Sequence, residues 1–289
     1  MNGFVRLGFR LLSAVAPRRA ATLGARLWFA VPRPRISEDA RRFLATGEPF
    51  ETSVGGTPVA GWKWGRGDPV LLMHGWGGYA AQLQAFVEPL VRAGFQAVAL
   101  DAPSHGMSGP SQLGPKHATL FDFADAMLAV SRQMPAIAGV IAHSGGCAAA
   151  AWALRQHPTW PVRQMVFIAP FGSPARYMNV FQHMVGLSDR AMRRFRADTE
   201  RQFRFQWKDL EVVAIADVVK TPPLLVVHDK EDRETAWQDG ADIAARWPNA
   251  TLQTTTGLGH NRILRDNSVV SSTVMFLAAA TMPASRPTG

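Results

Sequence analysis

From residue 49 onward the chain alternates short apolar runs with longer stretches of helical periodicity. Residues 70–74, 95–100, 138–143, 165–169 and 224–228 are near-continuously apolar. Strands buried on both faces of a helix-covered parallel sheet have this pattern. Between them, residues 80–93, 117–134, 146–157 and 235–247 have the length and spacing of helices. Residues 50–54 and 58–64 flank the turn Gly55-Gly56 and predict an antiparallel edge pair. The expected fold class is α/β, a mostly parallel sheet covered by helices on both faces.

Two segments depart from this rhythm. Between Phe171 and Pro222 no strand pattern occurs, and Arg190, Arg193, Arg194, Arg196, Arg201 and Arg204 alternate with Met178, Phe181, Met184, Phe195, Phe203 and Trp207. That mixture predicts amphipathic helices with a solvated arginine face. A connection of this length inside an α/β sheet is usually functional, and residues 173–220 are read as a helical lid after the sixth strand. Residues 1–48 form a basic helical extension, in which Phe4, Leu7, Gly8, Leu11, Leu12 and Val15 recur at helical spacing while Arg6 and Arg10 lie off the stripe. The core then comprises residues 49–172 and 221–289, ending in a short low-complexity tail from Pro283 to Gly289.

Composition narrows the function classes. With 289 residues, 47 % apolar and 18 % charged, the chain carries a substantial core and is neither disordered nor a small disulfide scaffold. A lone cysteine, Cys147, excludes an internal disulfide and a cysteine-based zinc site, and its apolar surroundings mark it as a small core residue. The net charge is +9, of which seven arginines in residues 1–35 supply +7 and the rest of the chain only +2. A nucleic-acid binder spreads its basic groups over a face, so no nucleic-acid partner is expected.

No uncharged apolar run is long enough to span a bilayer. Residues 11–16 are too short for the apolar region of a secretory signal, and Pro17-Arg18-Arg19 follows at once. The expected location is cytoplasmic, with residues 1–35 either docked on the domain or resting on an anionic membrane surface. No metal-ligand pair, G-x-G-x-x-G turn or phosphate-binding loop occurs, so no cofactor and no metal is expected. The oligomeric state is not encoded in any pattern of the chain.

The segment richest in chemistry is Ile141-Ala142-His143-Ser144-Gly145-Gly146, where a buried strand meets an alanine-rich helix. A serine hydroxyl becomes a nucleophile only when exposed, close to a base and close to oxyanion donors. A sharp strand-to-helix turn supplies the exposure, provided small residues stand two positions either side. Ala142 and Gly146 meet that condition in the form A-x-S-x-G, although an ordinary helix cap would look similar. Further along, strand 224–228 ends in Asp229-Lys230-Glu231-Asp232, and an extended run 250–256 leads to Gly257-Leu258-Gly259-His260. Serine, acid and histidine thus follow one another at successive strand ends.

These segments, with His74-Gly75-Trp76-Gly77-Gly78 and Asp101-Ala102-Pro103-Ser104-His105-Gly106-Met107-Ser108, resemble the α/β-hydrolase superfamily over roughly residues 49 to 280. The likeness is closest to bacterial members with an H-G-W-G-G turn and a helical lid. It implies Ser144 as nucleophile, His260 as general base and then acid, and Asp232 as the carboxylate that orients His260. Asp232 is preferred to Asp229 and Glu231 because it lies four residues beyond His228, as the family's acid does. Backbone N–H groups of Trp76 and Gly145 are the implied oxyanion donors. His74, Asp101 and His105 read as fold-holding groups, and His143 as a lining of the elbow. Serine at the elbow, where dehalogenases and epoxide hydrolases carry aspartate, disfavours an alkyl-enzyme.

The leading expectation is a carboxylic ester hydrolase acting on a small-molecule ester. Its lid, lined by Met178, Phe181, Met184, Val185, Phe195 and Phe203, would favour an apolar group. The same triad also serves thioesters, lactones, amides and carbon–carbon bonds, and the fold can hold a ligand without turning it over.

Overall fold

The computed structural model describes residues 3–32, 35–134 and 136–279; Arg33 and the tail from Pro283 lie outside them. Three helices come first: α1 (Gly3–Val15), α2 (Pro17–Trp28) and α3 (Glu38–Leu44). The strands are β1 (Glu48–Val54), β2 (Thr57–Trp64), β3 (Pro69–Met73), β4 (Gln96–Leu100), β5 (Gly139–His143), β6 (Met165–Ile168), β7 (Leu224–Asp229) and β8 (Ala250–Thr255). Between and after them run α4 (Gln84–Arg92), α5 (Leu120–Ser131), α6 (Gly145–Gln156), α7 (Pro174–Val185), α8 (Asp189–Phe203), α9 (Val212–Ile215), α10 (Trp237–Arg246), α11 (Gly259–Arg262) and α12 (Asn267–Ala279).

The strands form one eight-stranded sheet in the order β1-β2-β4-β3-β5-β6-β7-β8. The β1–β2 and β2–β4 pairs are antiparallel, and all pairs from β4 to β8 are parallel. Alternation along each strand divides the interior into two layers. Leu71, Met73, Val140 and Ala142 face α5 and α6, whereas Val70, Leu72 and Ile141 face α4 and α12. Strand order reverses around β3, and in open α/β sheets the crevice at the carboxyl ends beside that reversal is where ligands bind.

Boundaries moved where backbone chemistry overrode periodicity. The helix expected over 117–134 begins only at Leu120, because Thr119 and Asp122 cap it reciprocally. The stretch expected as one helix over 80–93 opens with a 3-10 turn, Ala80–Leu83, before α4. The 250–256 run is the edge strand β8, paired with β7 throughout.

The insertion between β6 and β7 packs with the N-terminal helices. Ala20 and Ala21 of α2 share a buried cluster with Met178, Val185, Met192 and Phe195. Gly24 brings α2 close to the insertion there, since a Cβ would lie 2.9 Å from the Leu187 side chain. Trp28 makes edge contacts with Phe181, Phe195 and Trp207. Among the described residues no helix is long and apolar enough to cross a membrane.

Candidate active site

Ser144 occupies the turn between β5 and α6 with φ 51° and ψ −120°. A side-chain-bearing residue held there is strained, and such strain persists only where the surroundings enforce it. Gly146 permits the tight turn, since a Cβ there would come within 2.6 Å of the His74 carbonyl oxygen. Gly75 permits the loop after β3 to pass over the serine, because a Cβ on it would lie 3.1 Å from Ser144 Cβ. The backbone nitrogen of Trp76 is 3.8 Å from where a Gly145 Cβ would stand. Gly145 is the first residue of α6, so its N–H has no intrahelical partner.

His260 and Asp232 meet. His260 Nδ1 donates to Asp232 Oδ2 at 2.7 Å, which leaves Nε2 as the ring's basic nitrogen. The Asp232 carboxylate is fully buried and accepts from the backbone nitrogens of Glu234 at 2.8 Å and Thr235 at 3.0 Å. Buried His228 stands 3.4 Å away through Nε2. Burial pushes the Asp232 carboxyl upward, but the hydrogen bonds from His228, His260 and Thr235 outweigh it and hold it far below the usual carboxylate range.

The neighbouring acids have other tasks. Asp229 accepts from Thr255 Oγ1 at 2.7 Å, Leu258 N at 3.0 Å and Glu231 N at 2.9 Å, which ties the acid loop to the loop leading to His260. Glu231 is exposed.

Around these groups the remaining polar residues are struts. His74 donates from Nδ1 to the Gly75 carbonyl and accepts from Ala102 N at Nε2, and burial lowers its pKa to about 4. His143 donates from Nε2 to the His260 carbonyl at 3.0 Å, with the two rings 4.6 Å apart. Burial and the adjacent His260 lower its pKa to about 3, so it is neutral and holds the His260 backbone. Asp101 accepts from Ala80 N and Met107 N and fixes two loops. Cys147 is buried with its thiol pushed up by desolvation.

Three contributors escaped the sequence reading. Thr235 Oγ1 lies 3.0 Å from Asp232 Oδ2 and 3.1 Å from the Ala169 carbonyl oxygen, bracing the acid. Glu234 accepts from Asn261 and stands 3.8 Å from His260 Nε2. Tyr177 of α7 donates to Asp239 and accepts from Ala236 N, joining the insertion to the acid loop. Only their closeness to Asp232 and His260 in the chain, for Thr235 and Glu234, was available as a signal.

Ser144 and Gly145 help line a pocket of about 340 Å³ whose walls include Trp28, Phe29, Trp76 and Phe181, with no charged side chain among the lining. The expected apolar lining is corrected here. Phe181 and Met184 reach the pocket, but Met178, Val185 and Phe195 are buried between α7, α8 and α2, and Phe203 packs edge-on to Phe29. One side of α7, with Met178 and Val185, and the apolar face of α8 are consumed in holding the insertion together, while the other side of α7, with Tyr177, Val180 and Met184, walls the pocket together with Trp28 at the end of α2.

A family model described as serine aminopeptidase, S33, matches residues 68–220, and one described as TAP-like protein matches residues 205–288. No curated protein sequence matches the chain. Among solved structures, Est1E from Butyrivibrio proteoclasticus with ferulic acid bound is similar with a TM-score of 0.63 and 15 % identity, covering 80 % of this chain and 97 % of that one. A thermophilic esterase from Thermogutta terrifontis gives a TM-score of 0.59 at 16 % identity, over 81 % of this chain and 100 % of that one. A serine hydrolase involved in carbazole degradation gives 0.60 at 17 % identity, over 81 % and 99 %.

Proposed function

The chain belongs to the α/β-hydrolase superfamily, in the family described as serine aminopeptidase, S33, and from that premise we propose that it is a serine-dependent hydrolase of small carboxylic esters carrying an apolar group. The observation that carries this reading is the strained Ser144 beside an aromatic, uncharged pocket. The pocket lining holds no carboxylate to receive a substrate's ammonium group, and the acid beside His260 Nε2, Glu234, is exposed and outside that lining. An apolar acyl or alcohol group fits it by desolvation alone. The volume is at the small end of the roughly 300–1,000 Å³ usual for small-molecule sites, which favours short to medium chains.

In this reading Ser144 Oγ attacks the ester carbonyl carbon while His260 Nε2 takes its proton. The oxyanion is received by the N–H groups of Trp76 and Gly145, and each such donor is typically worth about 10²–10³ in rate. Collapse of the tetrahedral intermediate breaks the carbon–oxygen bond, and the alcohol leaves with the proton held by His260. Water then attacks the acyl-enzyme by the same route in reverse and restores Ser144. Asp232 keeps His260 in the tautomer whose Nε2 is free and balances its transient charge.

The test is hydrolysis of p-nitrophenyl esters from acetyl to palmitoyl, with Ser144→Ala as control. Turnover that peaks at short to medium chains and vanishes in the variant supports the proposal. Turnover that survives in the variant refutes it, and no turnover on any ester moves the reaction to another acyl bond.

A further inference from the structure

We propose that the exposed face of α1 and α2 is a docking surface for an anionic lipid membrane. α1 is amphipathic, yet its apolar stripe faces away from the protein. The side that touches the domain consists of buried Ser13 with Phe9 and Leu12, and the Arg6 backbone and Arg10 side chain lie against Gly186 at the end of α7. Phe4, Leu7, Leu11 and Val15, spaced three and four residues apart on one line of the helix, are 87 %, 54 %, 61 % and 82 % exposed. α2 adds Leu23 and Leu27 to the exposed apolar surface. A helix serving only as packing would turn this stripe inward, as α2 does with Ala20, Ala21 and Gly24.

Charge identifies the occupant. The guanidinium-bearing residues Arg6, Arg10, Arg18, Arg19 and Arg26 are all exposed on the same two helices, and the first acidic residue in the chain is Glu38. An apolar ridge flanked by uncompensated arginines suits a surface of anionic headgroups over acyl chains. A second copy of the chain would bring like charges together, which opposes self-association through this face. The surface also adjoins the site. α2 ends in Trp28, which with Phe29 walls the pocket beside Ser144, and exposed Val180 and Met184 of α7 border the same pocket. Docking does not depend on the hydrolytic reading, because binding is measured without turnover.

The experiment is flotation of the full chain with phosphatidylglycerol-containing vesicles and with pure phosphatidylcholine vesicles, across a salt series. Wild type is expected to float with the anionic vesicles only, and to be released as salt screens the arginines. Phe4→Asp combined with Leu11→Asp should lower the bound fraction constant at least about tenfold. The thermal midpoint should hold, since both side chains are exposed. Arg18→Gln, Arg19→Gln and Arg26→Gln together should weaken binding and flatten its salt dependence. The proposal is overturned if wild type does not float, or if the Asp variant floats as well as wild type. It is also overturned if wild type is a non-floating dimer that the Asp variant converts to a monomer, which would assign the face to self-association.

Discussion

Tyr177 donates its hydroxyl proton to the fully buried carboxylate of Asp239 across 2.8 Å, and the same oxygen accepts from Ala236 N at 2.9 Å. One side chain therefore fastens α7, a pocket wall, to the loop that carries Asp232 and Thr235. Burial, reinforced by Asp239, raises the Tyr177 pKa well above the usual phenol range, so the hydroxyl stays a donor at any working pH.

Tyr177→Phe removes that donor and leaves the Ala236 N–H without its partner, while Asp239 Oδ2 keeps its hydrogen bond from Gly172 N. A buried polar group left unpaired costs about 1–3 kcal/mol, and the thermal midpoint should fall accordingly. If Tyr177 positions the acid loop, kcat should fall severalfold while KM changes less. A variant with unchanged kcat and a lowered midpoint would leave Tyr177 a purely structural tie.

The two aspartates of the acid loop should separate by readout. Asp232→Asn replaces the acceptor of His260 Nδ1–H and favours the wrong tautomer, which costs about 10⁴ in kcat in a triad of this type. Asp229→Asn weakens the ties to Thr255 and Leu258 instead. It should lower stability more than it lowers rate. Urea melts and steady-state kinetics on both variants test the assignment, and a larger kcat loss in Asp229→Asn would reverse it.

Much of this arrangement was legible in the sequence because it is local. Five both-faces-buried strands announce themselves as apolar runs, and the small residues around Ser144 follow from the steric demand of one turn. Among Asp229, Glu231 and Asp232 the sequence preferred Asp232 only by resemblance, since all three lie on one loop; the physical ground is spatial, in that of the three it is Asp232 whose Oδ2 approaches His260. Nothing local told that Trp28 would wall the pocket, or that Met178 and Phe195 would not. Amphipathic spacing says which side of a helix is covered but not by what. In α1 it failed even in that, because the apolar stripe is the exposed side.

Ser144 should be a site where activity and stability oppose each other. At φ 51° and ψ −120° an L-residue is strained by about 1–3 kcal/mol, whereas glycine adopts such conformations freely. Ser144→Gly should therefore melt above Ser144→Ala, and both should lose at least about four orders of magnitude in kcat. Equal melting of the two variants would mean that the turn is relaxed.

Acid should destabilise the protein well above the carboxylate range. His74 and His143 have folded-state pKa values lowered to about 4 and about 3, both mainly by burial, from an ordinary 6.5. As pH falls below about 6.5 the unfolded chain takes up protons that the folded chain refuses, so stability drops. The slope is about 1.4 kcal/mol per pH unit for each imidazole. His74 stops contributing near pH 4 and His143 near pH 3. Asp232 adds loss of the same sign at the lower end, because its folded-state pKa lies below its unfolded one and only the unfolded form is protonated there. Urea midpoints measured from pH 7.5 to 4 should fall steadily from about pH 6.5. His143→Gln, which keeps a donor toward the His260 carbonyl, should reduce the slope by about half near pH 5. A flat profile down to pH 5 would mean that both imidazoles are protonated in the folded state as readily as in the unfolded one, and the neutral struts described around Ser144 would then be wrong.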